Sequence, residues 1–201
     1  MDNGERMWTA AILAGGQARR LGGRDKSALL VGATSILEQQ LAMLRELTPH
    51  ILIVGRPHPP AEHEDVRAVL DRVPGRGALG GVYTALVEAS DEQVVVLACD
   101  MPFVTAAFVS RLAAAGAADA DADVVLPCDA HGRHPLCASY RTRIAPLVRH
   151  RIDAGKLRVL DAVDELRVRE LGADQLAAYN PEGRLLLNVN TPEDYTRAQQ
   201  R

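Results

Sequence analysis

The chain has 201 residues, 47% hydrophobic and 24% charged, with a net charge of −3. Those values describe one ordinary globular domain with a substantial core, and they exclude a strongly basic surface for nucleic acid or anionic lipid. No apolar run approaches the ~20 residues of a spanning helix, and the acidic start "MDNGERMW" has no hydrophobic export core. The expectation is therefore a cytoplasmic protein that binds neither nucleic acid nor membrane. Cys99, Cys128 and Cys137 are odd in number and form no CxxC pair, so they read as free thiols.

From the N-terminus, residues 1–7 read as a flexible lead-in and "TAAIL" (9–13) as a strand. The overlapping stretch "LAGGQARRLGGRDK" (13–26) packs four glycines, three arginines and a lysine into fourteen positions. A helix over 35–47 opens with Ser35 and Glu38 in capping-box positions and carries Ile36, Leu37, Leu41 and Leu44 on one face. "HILIVG" (50–55) and "VRAVLD" (66–71) read as strands, and "VLDRVPGRGALGG" (69–81) as a second glycine-rich turn feeding a helix over 80–89. "QVVVLACD" (93–100) is a strand, followed by a helix over 105–116 with Thr105 as N-cap and Gly116 as stop. The acidic "DADAD" (119–123) is a solvated loop before the strand "DVVLP" (123–127).

Beyond residue 130 the pattern loosens. "RHPLCASY" (133–140) suggests a strand, 142–155 and 157–166 suggest helices, and "RVREL" (167–171) an edge strand. "LLLNVN" (185–190) reads as a last strand before a helix that starts at Thr191 with Pro192 in its first turn. Strands alternating with helices imply βαβ units. The fold class is α/β: a mostly parallel sheet with helices on both faces, its continuous apolar strands buried on both sides.

Four features carry chemistry. The glycine loop follows a strand, where ligands bind in open α/β sheets, and its N–H groups can cradle phosphate. Its spacing matches neither GxGxxG nor GxxxxGK[ST], which argues against a dehydrogenase or a P-loop. Lys26 is one of only two lysines among 23 basic residues, and Arg19, Arg20 and Arg24 flank it. In "VVVLACDMP", Asp100 closes a buried strand in the same crevice, a position suited to Mg²⁺ beside substrate phosphates. Asp71 also ends a strand, and Gly75, Gly77, Gly80 and Gly81 lead into a helix that could face an anion or a base. Asn188 and Asn190 share one face of the expected last strand, where paired amides suit a pterin or a base, with capping of the final helix as the alternative for Asn190.

Together "LAGGQARRLGGRDK", "LACDMP", "HPLCASY" and "NVNTPEDY" resemble the molybdenum cofactor guanylyltransferase (MobA) family, from about residue 8 to near the C-terminus. The resemblance implies a single Rossmann-like nucleotidyltransferase domain over 1–201, with a nucleotide-binding part at about 8–127 and an acceptor-binding part at about 128–201. It implies transfer of GMP from Mg·GTP to the phosphate of molybdopterin, with release of pyrophosphate, and contacts with cofactor-synthesis and target-enzyme proteins. Carried over residue by residue, GTP lies on Leu13, Ala14, Gly15 and Gly16, with Gly22 and Lys26 at its phosphates and Arg20 joining Lys26 and Asp100 in catalysis. Asp71 and Gly80 flank the nucleotide, and Asp100 is the Mg²⁺ ligand. Gly55 stands where the family often has Asn, leaving only a backbone contact. Asn188 and Asn190 match acceptor positions, and Lys156 and Arg158 stand where the family often has paired arginines. Two rivals remain: a sibling transferase using CTP or a sugar-phosphate acceptor, and a non-catalytic nucleotide-binding regulator. Relatives that use CTP tend to read LAAG where this chain reads LAGG, and a regulator would not need the acid at Asp100.

Overall fold

Five consecutive residues that are apolar or small are buried on both sides and form the central strand β1, Thr9–Leu13. The computed structural model describes residues 7–15, 30–31, 34–59, 63, 65–189 and 191–199. After a small hairpin of β2 (Leu30–Val31) and β3 (Thr34–Ser35), helix α1 runs over Ile36–Arg45. Ser35 caps it: its hydroxyl accepts from the Glu38 N–H while the Glu38 carboxylate accepts from the Ser35 N–H, the reciprocal capping box. The chain continues through β4 (Ile51–Val54), β5 (Arg67–Val69), α2 (Gly77–Glu88), β6 (Gln93–Ala98) and α3 (Ala106–Ala118). The second half holds β7 (Val124–Asp129), β8 (Gly132–Arg133), β9 (Cys137–Arg141), α4 (Ala145–Asp153), α5 (Val159–Val163), β10 (Val168–Leu171), α6 (Ala173–Ala177) and α7 (Pro192–Gln199).

The main sheet has the order β10-β7-β9-β6-β1-β4-β5, with β8 paired to β7. β6, β1, β4 and β5 are mutually parallel, as the βαβ pattern requires. β9 is antiparallel to both its neighbours, so the sheet is mixed although mostly parallel. Alternate residues of each strand feed two separate cores. Ala10, Ile12, Ile53, Val95 and Leu97 pack with Leu37 and Leu41 of α1 and Phe108 and Leu112 of α3. Ala11, Leu13, Leu52, Val94 and Val96 pack on the other side with Leu79 and Val82 of α2, Val148 of α4 and Val163 of α5. Each fully buried aliphatic or aromatic side chain contributes about 1.5–3 kcal/mol of transfer free energy, so the two layers together carry the fold.

The structure departs from sequence expectation at several places, beginning with Gly77, Gly80 and Gly81, which lie inside α2 and not in a turn before it. Residues 185–189 form no strand: Leu185, Leu186 and Val189 are buried, but the segment is a strap whose Val189 N–H donates to the Asp100 carbonyl at 2.8 Å. The run 133–140 divides into the end of β8, a turn and β9, because Pro135 cannot donate to a sheet ladder. Gly116 does not stop α3, which continues to Ala118. Instead it lets α3 lie against β6 and β9: a Cβ there would fall 2.5 Å from Ser139 Oγ and 2.6 Å from Gln93 Nε2. That contact belongs to a buried polar cluster. Gln93 donates to the Ala113 carbonyl and to Ser139 Oγ, and Arg141 donates to the Gly116 carbonyl at 2.7 Å. Gly116→Ala is therefore expected to destabilise the protein by about 1–3 kcal/mol, the usual cost of overpacking a tight interior. Urea unfolding measures it, and an unchanged midpoint would contradict the close contact.

Candidate active site

The strand exits that form the crevice are laced to one another. The Leu13 carbonyl accepts from the Cys99 N–H at 3.3 Å, the Ala14 N–H donates to Val54 O at 2.9 Å, and the Gly55 N–H donates to Val69 O at 2.8 Å. Gly55 leaves β4 with φ of 97°, in the left-handed region that glycine tolerates. A Cβ on Gly55 would stand 2.5 Å from the Gly15 Cα, so no side chain fits between the two exits. This is the structural reason that position 55 offers only backbone to the crevice. From the other side, a Cβ on Gly15 would lie 3.3 Å from the Gly55 Cα and 3.5 Å from Asp71 Oδ2.

Asp71 thus sits beside the Gly15 backbone, two residues past β5. Its Oδ1 is buried with no hydrogen-bond partner among the described residues, and burial pushes its carboxyl above the usual carboxylate range. A buried acceptor without a donor is costly, and a ligand carrying N–H or O–H groups would satisfy it. The following residue is anchored: the Arg72 N–H donates to Thr84 Oγ1 at 3.0 Å, and its guanidinium meets the buried Glu88, which Arg67 also binds. Thr84 in turn donates to the Gly80 carbonyl at 2.9 Å. Gly80 is buried in α2, where a Cβ would come 3.1 Å from Val73 O and Arg76 Cβ, and Gly81 makes room for the Leu13 side chain.

Beyond the end of β6 lies a cavity of about 320 Å³ whose lining includes Asp100, Asn188, Arg158, Arg133 and His134. Asp100, expected from sequence as the metal acid, is therefore brought together with two of the expected acceptor residues. Arg158 is exposed and lies 3.4 Å from the Asp161 carboxylate. Lys156 is exposed on the loop after α4 and is not among the residues lining this cavity. Gly16, Arg20, Gly22, Lys26 and Asn190 lie outside the described residues.

Arg133 and His134 were missed, although the basic pair opening "RHPLCASY" was the available signal. Arg133 bridges Asp164 and Glu170, each at 2.7 Å. His134 Nε2 lies 2.9 Å from Asp129 Oδ1, close but not aligned as a hydrogen bond. Burial raises the Asp129 carboxyl, but the His134 ring and the His131 N–H outweigh it and hold the group below its ordinary value.

No cluster of three or more His, Cys, Asp or Glu side chains able to hold a metal occurs among the described residues. The donor set around Asp100 is thus unlike an all-protein zinc or calcium cage. It fits a hard cation that takes one carboxylate and completes its shell with water and phosphate oxygens, the habit of Mg²⁺. No helix among the described residues is long and apolar enough to cross a membrane.

The family model described as a MobA-like NTP transferase domain matches residues 10–168. A curated protein of Carboxydothermus hydrogenoformans, named probable molybdenum cofactor guanylyltransferase, is 34% identical over 94% of this chain and 93% of its own length. The crystal structure of molybdopterin-guanine dinucleotide biosynthesis protein A from Archaeoglobus fulgidus superposes with a TM-score of 0.82 at 26% identity, covering 96% of this chain and 97% of that one. A Mycobacterium tuberculosis protein solved in complex with manganese shares the fold, with a TM-score of 0.66 at 20% identity over 97% of this chain and 98% of that one.

The carboxyl of Asp71 binds its proton more tightly in the folded chain than in the unfolded one, so its ionisation costs stability as pH rises above the ordinary value of 3.8. Asp71→Asn removes the charge and keeps the shape. Thermal melts without nucleotide should show a higher Tm than wild type near neutral pH, with the gain shrinking as pH is lowered toward the ordinary carboxylate range. A gain independent of pH would remove buried charge as its cause.

Proposed function

Since the chain belongs to the MobA-like NTP transferase family, we propose that it transfers GMP from GTP to the phosphate of molybdopterin, releasing pyrophosphate and forming the molybdopterin guanine dinucleotide. The observation that carries this reading is that the parallel strands β6, β1, β4 and β5 end on one edge of the sheet, with Gly15, Gly55 and Asp71 in contact there and a cavity lined by Asp100, Arg158 and Asn188 beyond β6. A nucleotide and a second, anionic substrate have adjoining places there.

In this reading residues 8–127 hold the nucleotide and 128–201 the acceptor. GTP lies along Leu13, Ala14 and Gly15, with Asp71 accepting from donors on the nucleoside. Gly16, Gly22, Arg20 and Lys26 wrap its phosphates. Asp100 would hold the Mg²⁺ ion, which would supply positive charge beside the substrate phosphates. Likeness in fold to the manganese-bound mycobacterial protein supports a divalent ion without choosing it. The acceptor enters beside Asn188, Asn190, Arg158 and Lys156, and Arg133 adds positive charge to its cavity.

An oxygen of the acceptor phosphate, already anionic at neutral pH, attacks the α-phosphorus. The bond from that phosphorus to the bridging oxygen of the β-phosphate breaks, and pyrophosphate leaves with the electron pair. No general base is needed. The protein's contribution is alignment of the two phosphates and stabilisation of the departing charge by Lys26 and the loop N–H groups. The reaction is placed in the cytoplasm, with cofactor-synthesis and target-enzyme proteins as donors and receivers of the molybdopterin species.

Nucleotide consumption with molybdopterin present tests the assignment. GTP should be used in preference to CTP, and a CTP preference would overturn the guanylyl reading. Lys26→Ala and Asp100→Ala should each lose roughly 10²–10³-fold in transfer rate, the cost of removing one charge-stabilising group, while retaining the wild-type circular dichroism spectrum. Near-normal turnover by either variant would overturn the role given to that residue.

A further inference from the structure

One polar residue stands in the buried stripe of α1. Ile36, Leu37, Leu41 and Leu44 face the core, and Gln40, one turn after Ile36, faces it with them at only 3% exposure. Its Nε2 donates twice, to the carbonyl of Ala98 at 2.9 Å and to the carbonyl of Met101 at 3.2 Å. Its Oε1 is buried without a partner among the described residues. Half of this amide is satisfied by protein while the other half has no protein partner among the described residues, an arrangement that a leucine would avoid.

The two carbonyls bracket Asp100. Ala98 is the last residue of β6 and Met101 follows the acid, so the Gln40 amide closes a clip around Cys99 and Asp100. Two more backbone groups of the turn are held: the Cys99 N–H by Leu13 O, and the Asp100 carbonyl by the Val189 N–H. Gln40 is the one side chain in this set, reaching the turn from a helix 58 residues earlier in sequence.

We infer that Gln40 is a positioning residue for the cation site: by clamping the Ala98 and Met101 carbonyls it fixes the direction in which the Asp100 carboxylate enters the crevice. This rests on the metal reading of Asp100 given above. Partners that orient a ligating group set its affinity, and their loss typically weakens binding or activity by 10–100-fold.

The test uses Gln40→Leu, which keeps the volume and removes both donors, and Gln40→Met as a second variant with the same aim. Mn²⁺ binding is titrated by electron paramagnetic resonance in the presence of GTP and without acceptor, alongside melting temperature, metal-free GTP affinity and transfer rate. The expected result is a Tm close to wild type, unchanged metal-free GTP affinity, and Mn²⁺ affinity weakened roughly 10-fold, with kcat falling more than KM for GTP. A folded variant with wild-type Mn²⁺ affinity would overturn the inference. Failure of both variants to fold would overturn it too, because the amide would then support the core at large. Asp100→Asn separates the two readings. If it leaves Mn²⁺ affinity unchanged, the metal reading fails and takes this inference with it. If it weakens Mn²⁺ while Gln40→Leu does not, only the role of Gln40 falls.

Discussion

The crevice depends on two side chains that are missing. Gly15 and Gly55 leave adjacent parallel strands at the same level, and their backbones approach so closely that a Cβ on Gly55 would overlap the Gly15 Cα. With nothing between them, the exits of β1 and β4 stay in contact, and the next exit, that of β5, brings Asp71 against the same glycine. Had position 55 carried a side chain, the two exits would have to move apart, whereas at Gly15 a Cβ would meet its neighbours at 3.3–3.5 Å. Close packing makes such a displacement discrete rather than gradual, because the layers on both faces of β1 are already full.

On the opposite side of β1 the constraint is of another kind. The turn carrying Asp100, whose neighbours Cys99 and Met101 are packed in the core, is also fixed by hydrogen bonds from three directions: β1, α1 and the strap before α7. The strap is itself seated by Val189, which is fully buried with Ile36 at the start of α1. The position of one carboxylate therefore reports on segments distant in sequence, and α1 contributes to it from both its first turn and its centre. The two sides of the crevice are built by different means, shape at Gly15 and Gly55 and hydrogen bonding at Asp100.

Much of this was legible in the sequence because the physics acts locally. Strands buried on both faces must be apolar throughout, so β1, β4 and β6 showed as short unbroken runs, and the Ser35–Glu38 box announced α1. The glycine loop and Asp100 were readable as a pair because both follow apolar strands, and they pointed to the family whose model matches residues 10–168. What escaped was decided by distant contacts. Gly116 looked like a helix stop, yet its role is set by Ser139, which lies 23 positions further along the chain. The leucines at 185–187 resembled a strand because burial alone does not distinguish a ladder from a strap. Gln40 sat in plain view one helical turn after Ile36, but polarity hid it among residues expected to face water.

The reversed direction of β9 has a consequence for how the scaffold can change. A strand running against its neighbours presents its entrance where they present their exits, so the peptide ahead of β9, not the one behind it, reaches the crevice. Residues 133–136 line the cavity through a hairpin that is independent of the helical crossovers between β1, β4, β5 and β6. One side of the crevice can thus be rewritten by exchanging a short contiguous hairpin, while the βαβ units that shape the other side remain as they are. The topology separates the two halves of the site as objects of evolution, even though they share one cleft.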